Sequence, residues 1–225
     1  MKLSEQTISI LKNFSNINSG LFFQTGKQIK TVAPSKAILA HANIAEEIPV
    51  EFGIYDLNRL LGVLSLIEQP DIEFGDKQLV LKDATRSSRG QKQTYCDASL
   101  VVRPPDKEVA LPTEDVKFTL QKTVYEYIVK SSAILQYPEV AVVGDGSKVK
   151  IVVINSKNQM TDEAFDEVGE TDKNFKFIFK VENFSKIMSK EYTVSLSQKG
   201  LAKFVSTDDV LTYFIALEPN SVFEG

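Results

Sequence analysis

Basic side chains recur on the polar faces of the four helices that this sequence predicts. They are Lys12, Arg59, Lys122, Lys130 and Lys186. Cations spaced along helices can contact phosphate groups, and the absence of a base-reading set of asparagines or aromatics favours contact without sequence specificity. Glu5, Glu126 and Glu182 fall near the same faces and would weaken the positive field, so the contact is expected to be loose. The alternative is that each cation is simply a solvated surface residue.

The sequence contains no recognisable catalytic constellation. There is no phosphate-binding loop, dinucleotide fingerprint or nucleophile elbow. Cys96 is the only cysteine and His41 the only histidine, so most acid–base and nucleophilic schemes lack parts. A single cysteine cannot form an internal disulfide, and one cysteine with one histidine is too few ligands for a metal site. An inert thiol and an ordinary histidine are the simplest interpretation, and no cofactor or metal is predicted.

A run of carboxylates between residues 162 and 172 is the remaining place where chemistry could occur. It contains Asp162, Glu163, Asp166, Glu167, Glu170 and Asp172. The glycine and the terminal glutamate of a calcium-binding loop are not matched. A solvated acidic loop is one interpretation, and a divalent-metal enzyme that uses this segment is a remote alternative.

The composition is that of a soluble globular protein. Of 225 residues, 43% are apolar and 25% charged, and no apolar run approaches the ~20 residues that a membrane span needs. The first residues indicate a polar-faced helix rather than a signal peptide, so an intracellular protein without membrane contact is expected. The net charge of −4 does not exclude nucleic acid, because binding depends on where the cations lie.

Two short helices that carry matching cations define an internal repeat. Asp56–Ile67 is predicted as a helix with Asp56 as its N-cap and leucines along one side. The segment Asn183–Ser189 repeats its order of capping, apolar, polar, basic and apolar residues. Arg59 and Lys186 occupy the matched basic position. Because the copies lie more than half the chain apart, they suggest two similar domains.

Two longer helices complete the plan. They are predicted at Ser4–Ile17 and Gln121–Leu135, and the second is expected to turn Val124, Tyr127, Ile128, Ser131 and Leu135 inward. Each half then reads as strand, helix, strands, short helix and strands, and the first strand of the first half could only be Met1–Leu3, a weak match. This order predicts an α+β fold with helices on one face of antiparallel sheets.

The proline-bearing segment Arg103–Glu108 cannot continue a helix or a strand, and it is predicted to join the halves. The expected boundaries are an N-terminal domain at 1–102, a linker at 103–112 and a C-terminal domain at 113–225. Gln93–Val102 is predicted as a strand just before the linker. Lys157–Lys173 is predicted as an acidic connection within the second domain.

Several short motifs resemble the DNA polymerase sliding clamp of T4-like bacteriophages, a family similar in architecture to proliferating cell nuclear antigen. The close match covers roughly residues 1–67, and the rest of the chain fits in pattern. The motifs are Lys2-Leu-Ser4, Leu11-Lys-Asn-Phe14, Ile17-Asn-Ser-Gly20, Ile54-Tyr-Asp-Leu-Asn58, Leu61-Gly62 and Leu64-Ser-Leu66.

The resemblance implies a DNA polymerase processivity factor that is not an enzyme. Three two-domain subunits would form a head-to-tail ring, and twelve helices would line a hole around double-stranded DNA. The five cations named above would face the hole. The ring would tether the replicative polymerase and be loaded by an ATP-dependent clamp loader in the cytoplasm of an infected bacterium. It would also support late transcription with host RNA polymerase. An alternative is a clamp-fold scaffold that acts mainly in transcription or repair.

The resemblance also implies a pocket for the apolar tail of a partner protein near the linker. The candidate lining residues are Val101, Val102, Val109, Leu111 and Pro219. Ordinary core packing is the alternative for each of them.

Glu5 departs from what the resemblance implies, because it puts an acid on the face of the first helix that would line the hole.

Overall fold

The chain folds into two units with the same order of elements. The computed structural model describes residues 1–86, 88–158 and 162–224, and the units are Met1–Asp106 and Lys107–Gly225. Each unit has a long helix, antiparallel strands, a short helix and a further set of strands. Among the described residues, no helix combines the length and apolar character required to cross a bilayer.

The N-terminal unit holds two helices over short antiparallel sheets. Strand β1 pairs with β4, β2 pairs with β3, and β5, β6 and β7 form a sheet in that order. A 3-10 turn at Ala98–Leu100 follows the last strand. The elements are α1 (Glu5–Ile17), β1 (Leu21–Phe23), β2 (Gly26–Val32), β3 (Ile38–Ile48), β4 (Phe52–Ile54), α2 (Leu57–Ser65), β5 (Pro70–Phe74), β6 (Gln78–Asp83) and β7 (Gly90–Thr94).

The C-terminal unit follows the same plan, with a strand before its long helix. One sheet has the order β11-β10-β9-β12-β16, and β15, β14, β13 and β8 lie side by side in another. The elements are β8 (Val116–Leu120), α3 (Lys122–Leu135), β9 (Glu139–Asp145), β10 (Lys148–Ile154), β11 (Ala164–Glu170), β12 (Asn174–Lys180), α4 (Val181–Phe184), β13 (Tyr192–Ser197), β14 (Leu201–Ser206), β15 (Leu211–Ala216) and β16 (Val222–Phe223).

The strand pairings confirm the internal repeat. Strand β9 pairs with β12 as β1 pairs with β4. Strand β8 pairs with β13, and Met1 takes the equivalent place beside β5. There the Met1 amino group donates to the Ile72 carbonyl oxygen at 2.7 Å, and the Ile72 N–H donates to the Met1 carbonyl oxygen at 2.8 Å. The weak first strand of the first half is thus reduced to a single paired residue.

Each long helix buries one stripe against its own unit. On α1 the buried residues are Thr7, Ile10, Leu11, Phe14 and Ile17, and the helix packs on α2, β2 and β3. Helix α3 packs on β9, β10 and β11. Burying an isoleucine, leucine or phenylalanine side chain contributes about 1.5–3 kcal/mol. The stripe therefore fixes which way each helix turns its polar residues.

On α3 the predicted inward side was wrong at Tyr127. Tyr127 is 46% exposed, whereas Tyr125 is 4% exposed and belongs to the core. Apolar residues occupy most positions from Val124 to Val129, so helical periodicity allows more than one inward side. Contact with the sheet selects the side centred on Ile128.

Two other segments differ from the sequence-based expectation. The strand predicted at Gln93–Val102 ends at Thr94, because the Asp97 carboxylate accepts hydrogen bonds from Ser99 and starts the 3-10 turn. The predicted connection Lys157–Lys173 contains strand β11, in which buried Ala164 and half-buried Asp166 and Val168 alternate with exposed residues. Residues 159–161 of that connection lie outside the described residues.

The start of α1 is held by a carboxylate from β3. Ser4 is the N-cap, and its hydroxyl accepts from the Thr7 N–H at 3.2 Å. The Glu46 carboxylate accepts from the Ser4 N–H and from the Thr7 hydroxyl at 2.6 Å. Burial raises the pKa of Glu46, but these hydrogen bonds outweigh it and hold the pKa below its ordinary value of 4.5.

This arrangement predicts an acid-sensitive contribution to stability. A carboxyl whose pKa is lowered on folding stabilises the native state above its unfolded pKa, and the contribution is lost as pH falls through the folded pKa. The free energy of unfolding of the wild type should therefore fall more steeply than that of Glu46→Gln as pH drops below about 5. Urea unfolding at a series of pH values measures both slopes. Glu47→Gln, on the same strand but exposed, is the control, and equal slopes for wild type and Glu46→Gln would refute the assignment.

Candidate nucleic-acid interface

The five predicted DNA-contacting cations lie on or beside the four helices. Lys12 on α1, Arg59 on α2, and Lys122 and Lys130 on α3 are exposed. Lys186 is half-buried and follows α4 rather than lying on it. The structure thus places four of the five cations on helix faces opposite buried stripes.

Helix α2 presents Arg59 from a short, well-capped element. The Asp56 carboxylate accepts from the Arg59 N–H at 2.9 Å, as its predicted N-cap role requires. Leu57 and Leu60 on either side of Arg59 are buried. One turn further, a Cβ added to Gly62 would meet no atom within 4 Å. The surface beside the guanidinium is therefore open.

On α3 the two lysines have different electrostatic surroundings. The Lys122 Nζ lies 3.8 Å from the Glu126 carboxylate, which also accepts from the Ser189 hydroxyl at 2.6 Å. The Ser189 hydrogen bond lowers the pKa of Glu126, and Lys122 and Lys130 add weaker attractions. Glu126 therefore stays ionised and offsets Lys122, while Lys130 remains the more available cation.

The turn that carries Lys186 is not the helix that the repeat predicted. Helix α4 starts at Val181, so Asn183 lies inside it and is buried rather than acting as N-cap. No side chain caps this helix. Instead, β12 runs directly into it, and the Val181 N–H donates to the Pro138 carbonyl oxygen at 2.8 Å.

Three buried tyrosine hydroxyls hold the backbone around Lys186. Tyr125 donates to the Ile187 carbonyl oxygen at 2.7 Å, and Tyr192 donates to the Met188 carbonyl oxygen at 2.5 Å. The Met188 N–H donates to the Tyr213 hydroxyl at 3.3 Å. Burial raises the pKa of all three tyrosines, so the hydroxyls keep their protons. Sequence analysis missed this set because its members lie far apart in the chain.

The predicted partner-pocket residues lie in both units, and two of them line the same cavity. Val101 is 6% exposed and belongs to the core of the N-terminal unit. Val102 is exposed, and its carbonyl oxygen accepts from the Asn18 side-chain amide at 3.0 Å. Val109 and Leu111 line one cavity of the C-terminal unit together with Lys117 and Lys203. Pro219 is exposed and does not line that cavity.

A second cavity lies in the N-terminal unit and was not anticipated. The Arg103 guanidinium lies 4.8 Å above the Phe22 ring centroid. Gln24, Lys30 and Pro104 also line this cavity. Phe22 and Arg103 are far apart in sequence, so no local pattern indicates the contact.

In the described part of the chain, the side chains that could support metal binding or thiol chemistry do not form a site. Within 1–86, 88–158 and 162–224 there is no group of three or more His, Cys, Asp or Glu side chains arranged to hold a metal ion. Cys96 is half-buried, and burial raises the pKa of its thiol. A raised pKa leaves less of the reactive thiolate at neutral pH.

Solved clamps show the class of protein to which this fold corresponds. A structure of A. fulgidus PCNA bound to the C-terminal region of FEN-1 matches with a TM-score of 0.71 at 15% identity, and the match covers 98% of each chain. PCNA from Thermococcus kodakaraensis has a TM-score of 0.69 at 15% identity, covering 95% of this chain and 96% of that one. The fold is that of a sliding clamp, as the sequence predicted.

Sequence comparison then identifies the family. A model described as DNA polymerase processivity factor matches residues 2–102, and one described as gp45 sliding clamp, C terminal, matches residues 117–219. The sliding clamp of Escherichia phage RB69 is 33% identical over the whole of both chains. That of Vibrio phage KVP40 is 32% identical, covering 97% of this chain and 99% of the relative. The chain belongs to the sliding-clamp family of T4-like phages, the DNA polymerase processivity factors.

The tyrosine contacts predict that substitutions of Tyr125 and Tyr127 change the free energy of unfolding to different extents. Tyr125→Phe removes the bond to Ile187 and leaves a buried acceptor, so it should lower the free energy of unfolding by about 1–2 kcal/mol. Tyr127→Phe, on the exposed side of the same helix, should change it little. Chemical denaturation followed by circular dichroism measures both. Equal effects would contradict the anchoring role of Tyr125.

Proposed function

We propose that three copies of this chain close head to tail into a ring around double-stranded DNA. The ring tethers the replicative polymerase and has no enzymatic activity of its own. An ATP-dependent clamp loader opens it on DNA in the cytoplasm of the infected bacterium. The loaded ring also supports late transcription with host RNA polymerase and late transcription factors. Membership of the processivity-factor family carries this proposal, and the exposed helix cations support it.

In this proposal, Lys12, Arg59, Lys122, Lys130 and Lys186 contact DNA phosphates inside the ring. A ring is retained on DNA by topology, so its affinity for phosphates can be low, and low affinity permits sliding. Loss of one phosphate contact should reduce the magnitude of the slope of log K against log salt concentration by about 0.9. The pairing of Lys122 with Glu126 keeps the attraction between the helices and DNA small. Glu5, at the start of α1, weakens this attraction further.

The outer strands of the two units suit a head-to-tail contact. Strand β7 is the last strand of its sheet in the N-terminal unit, and β11 is the last strand of its sheet in the C-terminal unit. Exposed Lys92 lies on β7, and exposed Glu167 lies on β11 beside Asp166. Unpaired strand edges invite pairing with another chain, and opposite charges favour the β7 edge of one copy against the β11 edge of the next.

Charge reversal on β7 tests this contact. Lys92→Glu should raise the dissociation constant of the assembly by about three- to tenfold, because it places like charges across each contact. Sedimentation velocity over a range of protein concentrations measures the shift. Lys36→Glu, in the turn between β2 and β3, reverses an exposed charge beside a different sheet of the same unit and is the control. An unchanged constant for Lys92→Glu would exclude β7 as the contacting edge.

Partner tails are proposed to dock near the linker, at the cavity that Val109 and Leu111 line, and Val102 and Pro219 remain candidate contacts. The half-buried side chains of Val109 and Leu111 supply apolar surface in the cavity of the C-terminal unit. The cavity is also lined by Lys117 and Lys203 and by the carboxylates of Glu108, Glu114 and Asp209. Glu114 pairs with Lys117 at 3.2 Å, so these charges offset one another and the lining suits an apolar tail.

Primer extension on a long circular template tests the proposed function. With the cognate polymerase and clamp loader present, adding this protein should lengthen the products. Alanine at all five helix cations should shorten them by about threefold or more, because phosphate contacts are lost during loading and sliding. The matched control replaces five exposed lysines elsewhere with alanine, namely Lys27, Lys77, Lys157, Lys176 and Lys199. Product lengths that do not depend on this protein would refute the proposal.

A further inference from the structure

The exposed face of α3 combines its most available cation with large apolar side chains. Ile134 is 80% exposed and Tyr127 is 46% exposed. Tyr127, Lys130 and Ile134 follow the spacing i, i+3 and i+7, so they form one stripe along the helix. We name these three residues the α3 stripe. It lies away from the buried residues Val124 and Ile128.

A similar combination occurs independently on α2 in the other unit. Leu66, which directly follows the helix, is 74% exposed, and it lies seven residues after Arg59. Gly62 lies between them, and a Cβ there would meet no atom within 4 Å. Helix α1 differs, because none of its large apolar side chains is exposed. Exposed apolar residues beside a cation are therefore a property of particular helices in this chain.

The backbone of DNA offers surfaces that match this combination. Each nucleotide presents an anionic phosphate next to a largely apolar deoxyribose. Lys130 and Ile134 are separated by about 6 Å along the helix axis, which is under two nucleotide steps at about 3.4 Å per strand. A cation and an aliphatic side chain at that separation can reach a phosphate and a neighbouring sugar together.

We propose that Tyr127 and Ile134 on α3, and Leu66 beside α2, pack against deoxyribose groups while Lys130 and Arg59 contact the adjacent phosphates. This inference rests on the proposed function, and it adds an apolar, sequence-independent component to the contact with double-stranded DNA. Lys130 in the α3 stripe and Arg59 near Leu66 carry positive charge, which favours DNA as the occupant of both surfaces. The apolar component is not screened by salt, since hydrophobic burial does not depend on counterion release.

Salt-dependent binding separates the apolar component from the ionic one. The probe is a short fluorescent duplex of mixed sequence, and anisotropy is recorded at several salt concentrations. Tyr127→Ser with Ile134→Ser should weaken binding by about three- to tenfold at every salt concentration, with the slope of log K against log salt unchanged. Lys130→Ala should instead reduce the slope by about 0.9. Val50→Ser, which changes an exposed apolar residue in a loop, is the control.

These results separate failure of the inference from failure of the proposed function. If the double serine variant binds like the control while Lys130→Ala reduces the slope, the apolar contact is absent and the ionic one stands. If neither variant differs from the wild type, α3 does not contact DNA and both proposals fail for this helix. Because the replaced side chains are exposed, serine should leave the fold intact, and thermal melting verifies this.

Photo-crosslinking tests the same surface in the loaded protein. A p-benzoylphenylalanine residue is placed at position 134, or at position 50 as control, and the clamp is loaded on nicked circular DNA with polymerase and loader present. Crosslinks from position 134 to DNA, in excess of those from position 50, are expected. Crosslinks from position 134 to polymerase or loader alone would overturn the inference and assign the stripe to a protein partner.

Discussion

The fold depends on burying one apolar stripe of each helix against its own unit. On α3 this stripe consists of Val124, Tyr125, Ile128 and Ser132. Once those residues face the core, helical geometry leaves Lys122 and Lys130 on the outer side. The hydrophobic effect, which has no directional chemistry of its own, thereby sets the direction of the charges. The same constraint on α2 turns Arg59 outward between buried Leu57 and Leu60.

The short helices of the two units are stabilised by different interactions. Helix α2 has nine residues and a side-chain cap at Asp56. Helix α4 has four residues and no side-chain cap, so it cannot be stable through its own hydrogen bonds. Tyrosine hydroxyls from α3, β13 and β15 fix the turn that follows it. The two units thus share a topology without sharing the local interactions that maintain it.

The sequence predicted the features that depend on local signals. Asp56 caps its helix as expected, because an N-cap needs only its own first turn. The outward positions of Lys12 and Arg59 were also predicted, because an exposed charge requires no partner. Tyr125 and Tyr127 could not be distinguished, because both lie within an apolar run and the sheet decides which one is buried. Strand β11 was missed because its charged residues resemble a loop. The anchoring of Lys186 joins residues from three distant elements, so local patterns contain no information about it.

Because three tyrosine hydroxyls hold the turn around Lys186, its backbone should open to solvent only together with the core of the C-terminal unit. Amide exchange follows such local free energies of opening, so exchange of the Ile187 N–H, which donates to the Phe184 carbonyl oxygen, should follow the stability of that whole unit. The backbone beneath Arg59 is held by different contacts, namely the Asp56 cap and the leucines of α2. Two cations at related places in the repeat therefore depend on one long-range and one local set of contacts.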